Sequence, residues 1–473
     1  MPTSKELEFI QKIHGKLLDY LIQNKDKKIH SMISIDDFLS EFNFSITESS
    51  DLKELEFFID GYLDSSVDTS SPHFYNQLFS GFSTMGYLGE AITGLTNNSM
   101  YTYEMSPMAT MMERALIEKM SKLIGYEDGF GSFVPGGSNA NLIAVLCARN
   151  RAHPGSKDNG LFDHSPLVGF VSEESHYSFL KAGYQVGIGV DNMRQVPCNA
   201  DGRMDIGKLE AMIEGSFNDG EHPFFVGATA GTTVRGVFDP LDKIATICNK
   251  HDLWFHVDGS WGGSALLSRT HKTLLKGCEA SDSFTWCAHK MMGIPLMCTA
   301  IILEDKTMLK RINSVPGTDY LFHGEDQEEM DLGIHSLQCG RRVDSLKLWL
   351  SWKYLGDDGY ENRIEHLFSM AKYAESKVND SDILQMLSPV ESLNICFQVQ
   401  PHSLNDDKWD DLTILVRERL MESAYIMVNY ATIKDKTYIR LITVNFDLNT
   451  EHLDRFFDHI ETLALELVDE MRI

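Results

Sequence analysis

The chain has 473 residues, 43% hydrophobic and 23% charged, with a formal net charge of −27. That length exceeds one ordinary core, so two or three domains are expected. The charge argues against nucleic acid or an anionic membrane surface as a partner, because phosphate backbones select basic surfaces. It does not exclude a small anionic substrate, since a local basic group overrides the global field.

No apolar stretch approaches the ~20 residues a membrane helix needs. Residues 1–6 lack the charged-then-apolar pattern of a secretory signal. The eight cysteines are scattered with no Cys-x-x-Cys pair, so a reduced, cytoplasmic setting is expected rather than disulfides or a zinc site.

Along the chain, residues 1 to about 70 read as helices. Apolar residues recur at helical spacing over 6–22, and Ser34 precedes a capped second start. Such an amphipathic segment needs a surface to cover its apolar face, either a partner subunit or its own domain. From Pro72 to about 345, short apolar runs alternate with helical stretches. The runs at 167–171, 223–227, 253–257, 283–286 and 298–303 are unbroken and bounded by turn-formers, as strands buried on both faces are. A mostly parallel sheet wrapped by helices follows. A helix begins near Leu346, and the tail alternates strand-like pieces (393–400, 437–444) with helices, ending in one over 451–468. The expected division is a helical segment 1–71, a large domain 72–346 and a smaller α+β domain 347–473.

The reactive side chains fall at strand ends, where open α/β sheets bind ligands. His176 follows the first buried run, Thr232 and Thr233 the second, and Asp258 closes the third. Lys290 comes just after the fourth, 32 positions beyond Asp258 (290 − 258). An acid and an amine at the ends of neighbouring strands are what pyridoxal phosphate requires. The amine forms a Schiff base with the aldehyde, and the acid keeps the pyridine nitrogen protonated so that the ring accepts electrons. Gly136-Gly137-Ser138-Asn139 opens a helical run over 142–151 and offers backbone amides to a phosphate. It is not a Walker loop, because no Gly-Lys-Ser/Thr follows. His176 is suited to stack on a pyridine ring, and His289 to touch phosphate. His256, facing away from the residues that flank Asp258, is read as structural. Asp258-Gly259-Ser260-Trp261-Gly262 lacks the first glycine of a nucleophile elbow. His251 and His256 are five apart without a following glutamate, which excludes a zincin site; no metal is expected.

These motifs, with His73-Phe74-Tyr75-Asn76-Gln77-Leu78, Tyr103-Glu104-Met105-Ser106-Pro107, Ala230-Gly231-Thr232-Thr233 and Gln338-Cys339-Gly340-Arg341-Arg342, resemble the group II pyridoxal-phosphate-dependent decarboxylases. The resemblance runs from about Pro72 to near the C-terminus and is nearest to the glutamate and cysteine-sulfinate branch. It implies the fold-type I, aspartate-aminotransferase-like architecture with a seven-stranded sheet. It also implies a homodimer with active sites at the subunit boundary and N-terminal helices packed there. Carried over, it makes Lys290 the Schiff-base lysine, Asp258 the ring-nitrogen partner and His176 the stacking residue. Thr233 supports the acid, and Ser138, Asn139 and His289 hold phosphate. Arg440 binds the substrate α-carboxylate and Gln77 contacts its side chain. The implied reaction is decarboxylation of a small acidic L-amino acid (glutamate, aspartate, cysteine sulfinate or cysteate) to the amine and carbon dioxide.

Three departures stand out. The family's Asn-Pro-His-Lys is Cys287-Ala288-His289-Lys290 here, and its His-Val-Asp-Ala-Ala is His256-Val257-Asp258-Gly259-Ser260, which removes methyl groups beside the ring and either widens the pocket or admits the Ser260 hydroxyl to the cofactor. The stretch 322–335 lacks the tyrosine that in the family protonates the substrate carbon. His323 and His335 are the imidazoles available instead. Relatives without that tyrosine divert to an aldehyde by oxidative deamination, which is one alternative outcome. Decarboxylation of an aromatic or other amino acid is another, and a catalytically degenerate paralogue is the non-enzyme alternative.

Overall fold

The computed structural model describes residues 1–23, 28–31, 33–162, 164–317 and 330–471. The chain separates into two compact units. One contains residues 82–372 and 388–394; the other gathers 1–81, 373–387 and 395–473. These bounds differ from the three segments expected above. The N-terminal helices group with the C-terminal residues, and the first part of the long helix Asp344–Asn379 groups with the larger unit. That helix breaks at Gly356, whose φ of 67° lies where only glycine sits without strain.

The larger unit is built on a seven-stranded sheet with order β1-β7-β6-β5-β4-β2-β3. The strands are β1 (Phe130–Val134), β2 (Leu167–Ser172), β3 (Met193–Val196), β4 (His222–Thr229), β5 (Trp254–Asp258), β6 (Ser283–Cys287) and β7 (Thr299–Leu303). Pairings from β3 through β2, β4 and β5 to β6 are parallel, and β7 runs antiparallel to both β6 and β1. β1 therefore runs in the direction of β6. The five apolar runs fall on β2, β4, β5, β6 and β7 to within a residue or two, and β2, β5, β6 and β7 are buried along their whole length. Phe170, Phe225, Phe255, Phe284, Trp254 and Trp286 fill the layers against the flanking helices. At ~25 cal/mol per Å², such aromatics dominate the burial term.

The consequence for function is geometric. Thr229 on β4 is in register with Asp258 on β5, and Asp258 with Thr285 on β6. The carboxyl ends of β1, β2, β4, β5 and β6 thus share one edge of the sheet.

The second unit carries a four-stranded sheet of β8 (Leu384–Met386), β9 (Asn394–Val399), β10 (Asn429–Ile433) and β11 (Lys436–Ile442), with the final helix Thr450–Met471. Its N-terminal helices are Ser4–Gln23, Ile35–Glu41 and Leu52–Ser65. The expected start at Ser34 is a capping box: the Asp37 amide donates to Ser34 Oγ at 3.1 Å, and the Asp37 carboxylate accepts from the Ser34 amide. No helix among the described residues is long and apolar enough to cross a membrane. None of the eight cysteines is joined in a disulfide.

Candidate active site

A cavity of about 210 Å³ lies at the carboxyl edge of the larger sheet. Its lining includes Gly137, Ser138, Asn141, His176, Thr233, Asp258, Ser260 and Lys290. Six residues singled out from the sequence, on five different connections, therefore meet at one place: Ser138, His176, Thr233, Asp258, Ser260 and Lys290.

Asp258, at the end of β5, is 4% exposed. Its carboxylate accepts from Asn141 Nδ2 at 2.8 Å and from the Ser260 amide at 3.0 Å. Burial alone pushes this carboxyl upward. The hydrogen bond from Ser260, the Lys290 ammonium and the Asn141 bond outweigh it and hold Asp258 below the usual carboxylate value, so it is ionised. Lys290 follows β6 on a turn in which its amide donates to the Cys287 carbonyl. His176 sits on the turn after β2, its ring 4.2 Å from that of Tyr177. Burial lowers its basicity, Asp258 acts in the opposite direction, and Lys290 and Lys181 add to the lowering; the imidazole is neutral near pH 7.

Beside them, Gly136 (φ 102°) turns the chain into the helix Gly137–Ala152. A Cβ on Gly137 would stand 2.6 Å from Ser260 Oγ, so the backbone approaches the cavity only because no side chain is there. Asn139 and Ala140 bond back to the Gly136 carbonyl. The amides of Gly137 and Ser138 open the helix without intrahelical partners, as an anion cradle requires. The Thr229 hydroxyl, on another wall, is buried with no hydrogen-bond partner among the described residues. An ionised acid, an amine and an amide cradle around one cavity fit a phosphorylated pyridine aldehyde.

Not every expected residue lines this cavity. Asn139 is half-buried on the helix start and lies outside the lining. His289 is buried, and its Nδ1 is tied to the Cys298 backbone, 2.9 Å from the carbonyl and 3.1 Å from the amide. Arg440 and Gln77 belong to the other compact unit. Arg440 is 8% exposed and donates to the Asn76 carbonyl at 2.8 Å, next to the exposed Gln77. His323 lies outside the described residues. His335 packs on Phe130 at 4.7 Å and lines a different cavity. Asn141, which belongs to none of the motifs singled out above, bonds Asp258 directly. An asparagine directly before the apolar run 142–148 was the available signal.

A family model described as the pyridoxal-dependent decarboxylase conserved domain matches residues 40–400. The chain belongs to the pyridoxal-dependent decarboxylase family. It is 39% identical over 414 residues to the acidic amino acid decarboxylase GADL1 of Xenopus tropicalis, covering 85% of this chain and 81% of that one. It is 38% identical to the cysteine sulfinic acid decarboxylase of Mus musculus, covering 85% and 84%. The structure superposes on the crystal structure of mouse CSAD in apo form with a TM-score of 0.92 at 34% identity, covering 97% of this chain and 99% of that one. A rice structure, Oryza sativa TDC with PLP and tryptamine, also gives 0.92, at 22% identity over 99% of each chain, and speaks for the fold alone. The chain is thus a pyridoxal-phosphate-dependent amino acid decarboxylase of the fold-type I architecture.

Proposed function

We propose that this decarboxylase acts on a small acidic L-amino acid, releasing carbon dioxide and the amine, with Lys290, Asp258 and His176 as its working residues. The observation that carries the reading is the single cavity lined by Lys290, Asp258 and the Gly137–Ser138 helix start. The acidic substrate class is supported by the relatives whose names specify acidic amino acids or cysteine sulfinate.

Lys290 is the residue that would hold the cofactor through its Nζ, with Gly137, Ser138 and Ser260 around the phosphate. When bound, pyridoxal phosphate supplies an electron-accepting ring that drains charge from the substrate α-carbon as carbon dioxide departs. Asp258, ionised and fixed by two donors, would hold the ring nitrogen of the bound cofactor in its protonated form. His176 covers a face of the site and presents a neutral imidazole. Lys290 lines the same cavity, and its Nζ would be the base available there to hold or return a proton. Arg440 receives the α-carboxylate as a charge-assisted pair and Gln77 a side-chain polar group, a reading supported by the burial of the guanidinium and its tether to Asn76.

A homodimer in the cytoplasm completes the reading. Leu7, Ile10, Leu18 and Ile22 on the helix Ser4–Gln23 are exposed in the single chain, which supports a partner over that face. Sedimentation should give twice the chain mass.

A second outcome is favoured by one observation: residues 322–335 contain no tyrosine. In that reading dioxygen and water are consumed, and the products are an aldehyde, carbon dioxide, ammonia and hydrogen peroxide. Incubation with glutamate, aspartate, cysteine sulfinate and cysteate separately, with gas and organic product identified, tests both. Amine with carbon dioxide supports the first reading and aldehyde the second. No turnover of any acidic amino acid by cofactor-loaded protein overturns the substrate assignment.

A further inference from the structure

We infer that a buried hydrogen-bond chain running from Trp254 to Ser178 locks His176 as its neutral Nε2–H tautomer, which makes Asn141 and Ser178 positioning residues for the site. The inference rests on the reading of His176 as a cofactor-facing residue. It follows from the number of donors and acceptors each group owns.

The chain is anchored where charge is fixed. Ionised Asp258 can only accept, so the Asn141 atom 2.8 Å from its Oδ2 must be the amide nitrogen. Asn141 Oδ1 then faces His256 Nε2 at 3.2 Å and Thr285 Oγ1 at 2.9 Å, and accepts from both. His256 is fully buried and pushed down to about 4 by desolvation, against the pull of Asp258, so it is neutral and carries its proton on Nε2. Its Nδ1 accepts from Ser283 Oγ at 2.8 Å. Ser283 is free to donate there because the Trp254 indole, a donor only, gives its N–H to Ser283 Oγ at 2.8 Å. The histidine read as structural from sequence thus reports the charge of Asp258 to the strand behind it.

In the other direction, Asn141 Nδ2 also reaches Ser178 Oγ at 3.0 Å. Having accepted there, the Ser178 hydroxyl donates to His176 Nδ1 at 2.8 Å, and the Ser178 amide points at the same nitrogen at 3.3 Å. Two donors converge on Nδ1, so His176 holds its proton on Nε2. Asn141 therefore aligns two cofactor-facing groups at once: the carboxylate of Asp258 and, through Ser178, the ring of His176.

The test compares histidine-labelled wild type with Ser178→Ala and Ser264→Ala. Ser264 is an equally buried control, since it accepts the Trp286 indole at 2.9 Å and lies off this chain. Solid-state ¹⁵N spectra, recorded with and without cofactor, report the His176 tautomer, assigned by subtraction of His176→Gln. The expected result is an unprotonated Nδ1 in wild type and Ser264→Ala, and a mixture of tautomers in Ser178→Ala. The same Ser178→Ala protein should lose about 10–100-fold in kcat, as losses of supporting hydrogen bonds do. The acid limb of its pH profile should move, because His176, facing Asp258, Lys290 and Lys181, keeps only the longer amide bond at Nδ1 and loses the hydroxyl one. A protonated Nδ1 in wild type overturns the inference and needs no variant to fold. An unchanged His176 spectrum in folded Ser178→Ala overturns it equally. Both results are read in cofactor-free protein and stand apart from the choice of substrate.

Discussion

Replacing Asp258 with asparagine deletes one charge while keeping the side-chain volume. In the wild type that charge is buried, held by Asn141 at 2.8 Å and the Ser260 amide at 3.0 Å, and kept ionised against desolvation. Removing one member of a buried, hydrogen-bonded charge pair costs about 3–5 kcal/mol. At ~1.4 kcal/mol per factor of ten, that corresponds to roughly 10²–10⁴ in turnover, if the ring-nitrogen charge is needed only as electrons arrive. Two quantities separate this account from simple loss of cofactor. Cofactor affinity, measured by fluorescence quenching, should weaken far less than kcat falls, because Lys290 and the Gly137–Ser138 amides are untouched. The absorbance of the bound cofactor should shift as its ring nitrogen loses the proton. An Asp258→Asn enzyme within threefold of wild-type kcat, with normal cofactor content, would refute the reasoning.

Other expectations follow from the same structure. Arg440→Ala should raise KM for the acidic amino acid about 10–100-fold with a smaller fall in kcat, the pattern of a lost charge-assisted bond made in ground and transition states alike; an unchanged KM removes Arg440 from the site. Glu113 holds Arg341 through two bonds of 2.7 and 2.8 Å with both side chains buried, so Glu113→Gln should destabilise by about 3 kcal/mol; an unmoved urea midpoint contradicts it. Burial pushes His289 down to about 4 from 6.5, so the unfolded chain binds a proton there that the folded one refuses. Its stabilising contribution is present above pH 6.5 and is lost as pH falls toward 4. The stability of wild type relative to His289→Asn should therefore drop on acidification, by at most about 1.4 kcal/mol per pH unit, and a flat difference across that window contradicts the sign.

Much of this site was legible in the sequence because buried parallel strands announce themselves as unbroken apolar runs. The runs at 253–257 and 283–286 became β5 and β6, and chemistry at their ends followed from the edge rule. β1 and β3 escaped. Phe130–Val134 is interrupted by Gly131 and Ser132, and Met193–Val196 is a four-residue edge strand with polar residues at its centre. The bounds of the compact units were hidden too, since no periodicity tells that residues 1–81 group with the C-terminal portion. Asn141 was invisible for another reason. Its importance lies in reaching Asp258, 117 positions away, and only the crossing of the helix Gly137–Ala152 over the sheet creates that contact.

Borohydride reduction of the cofactor-loaded protein, followed by peptide mass spectrometry, tests the central claim most directly. The account predicts a phosphopyridoxyl mass on the peptide carrying Lys290 and on no other lysine, absent in Lys290→Ala. Label on a different lysine, or none in protein that is turning over substrate, would contradict it.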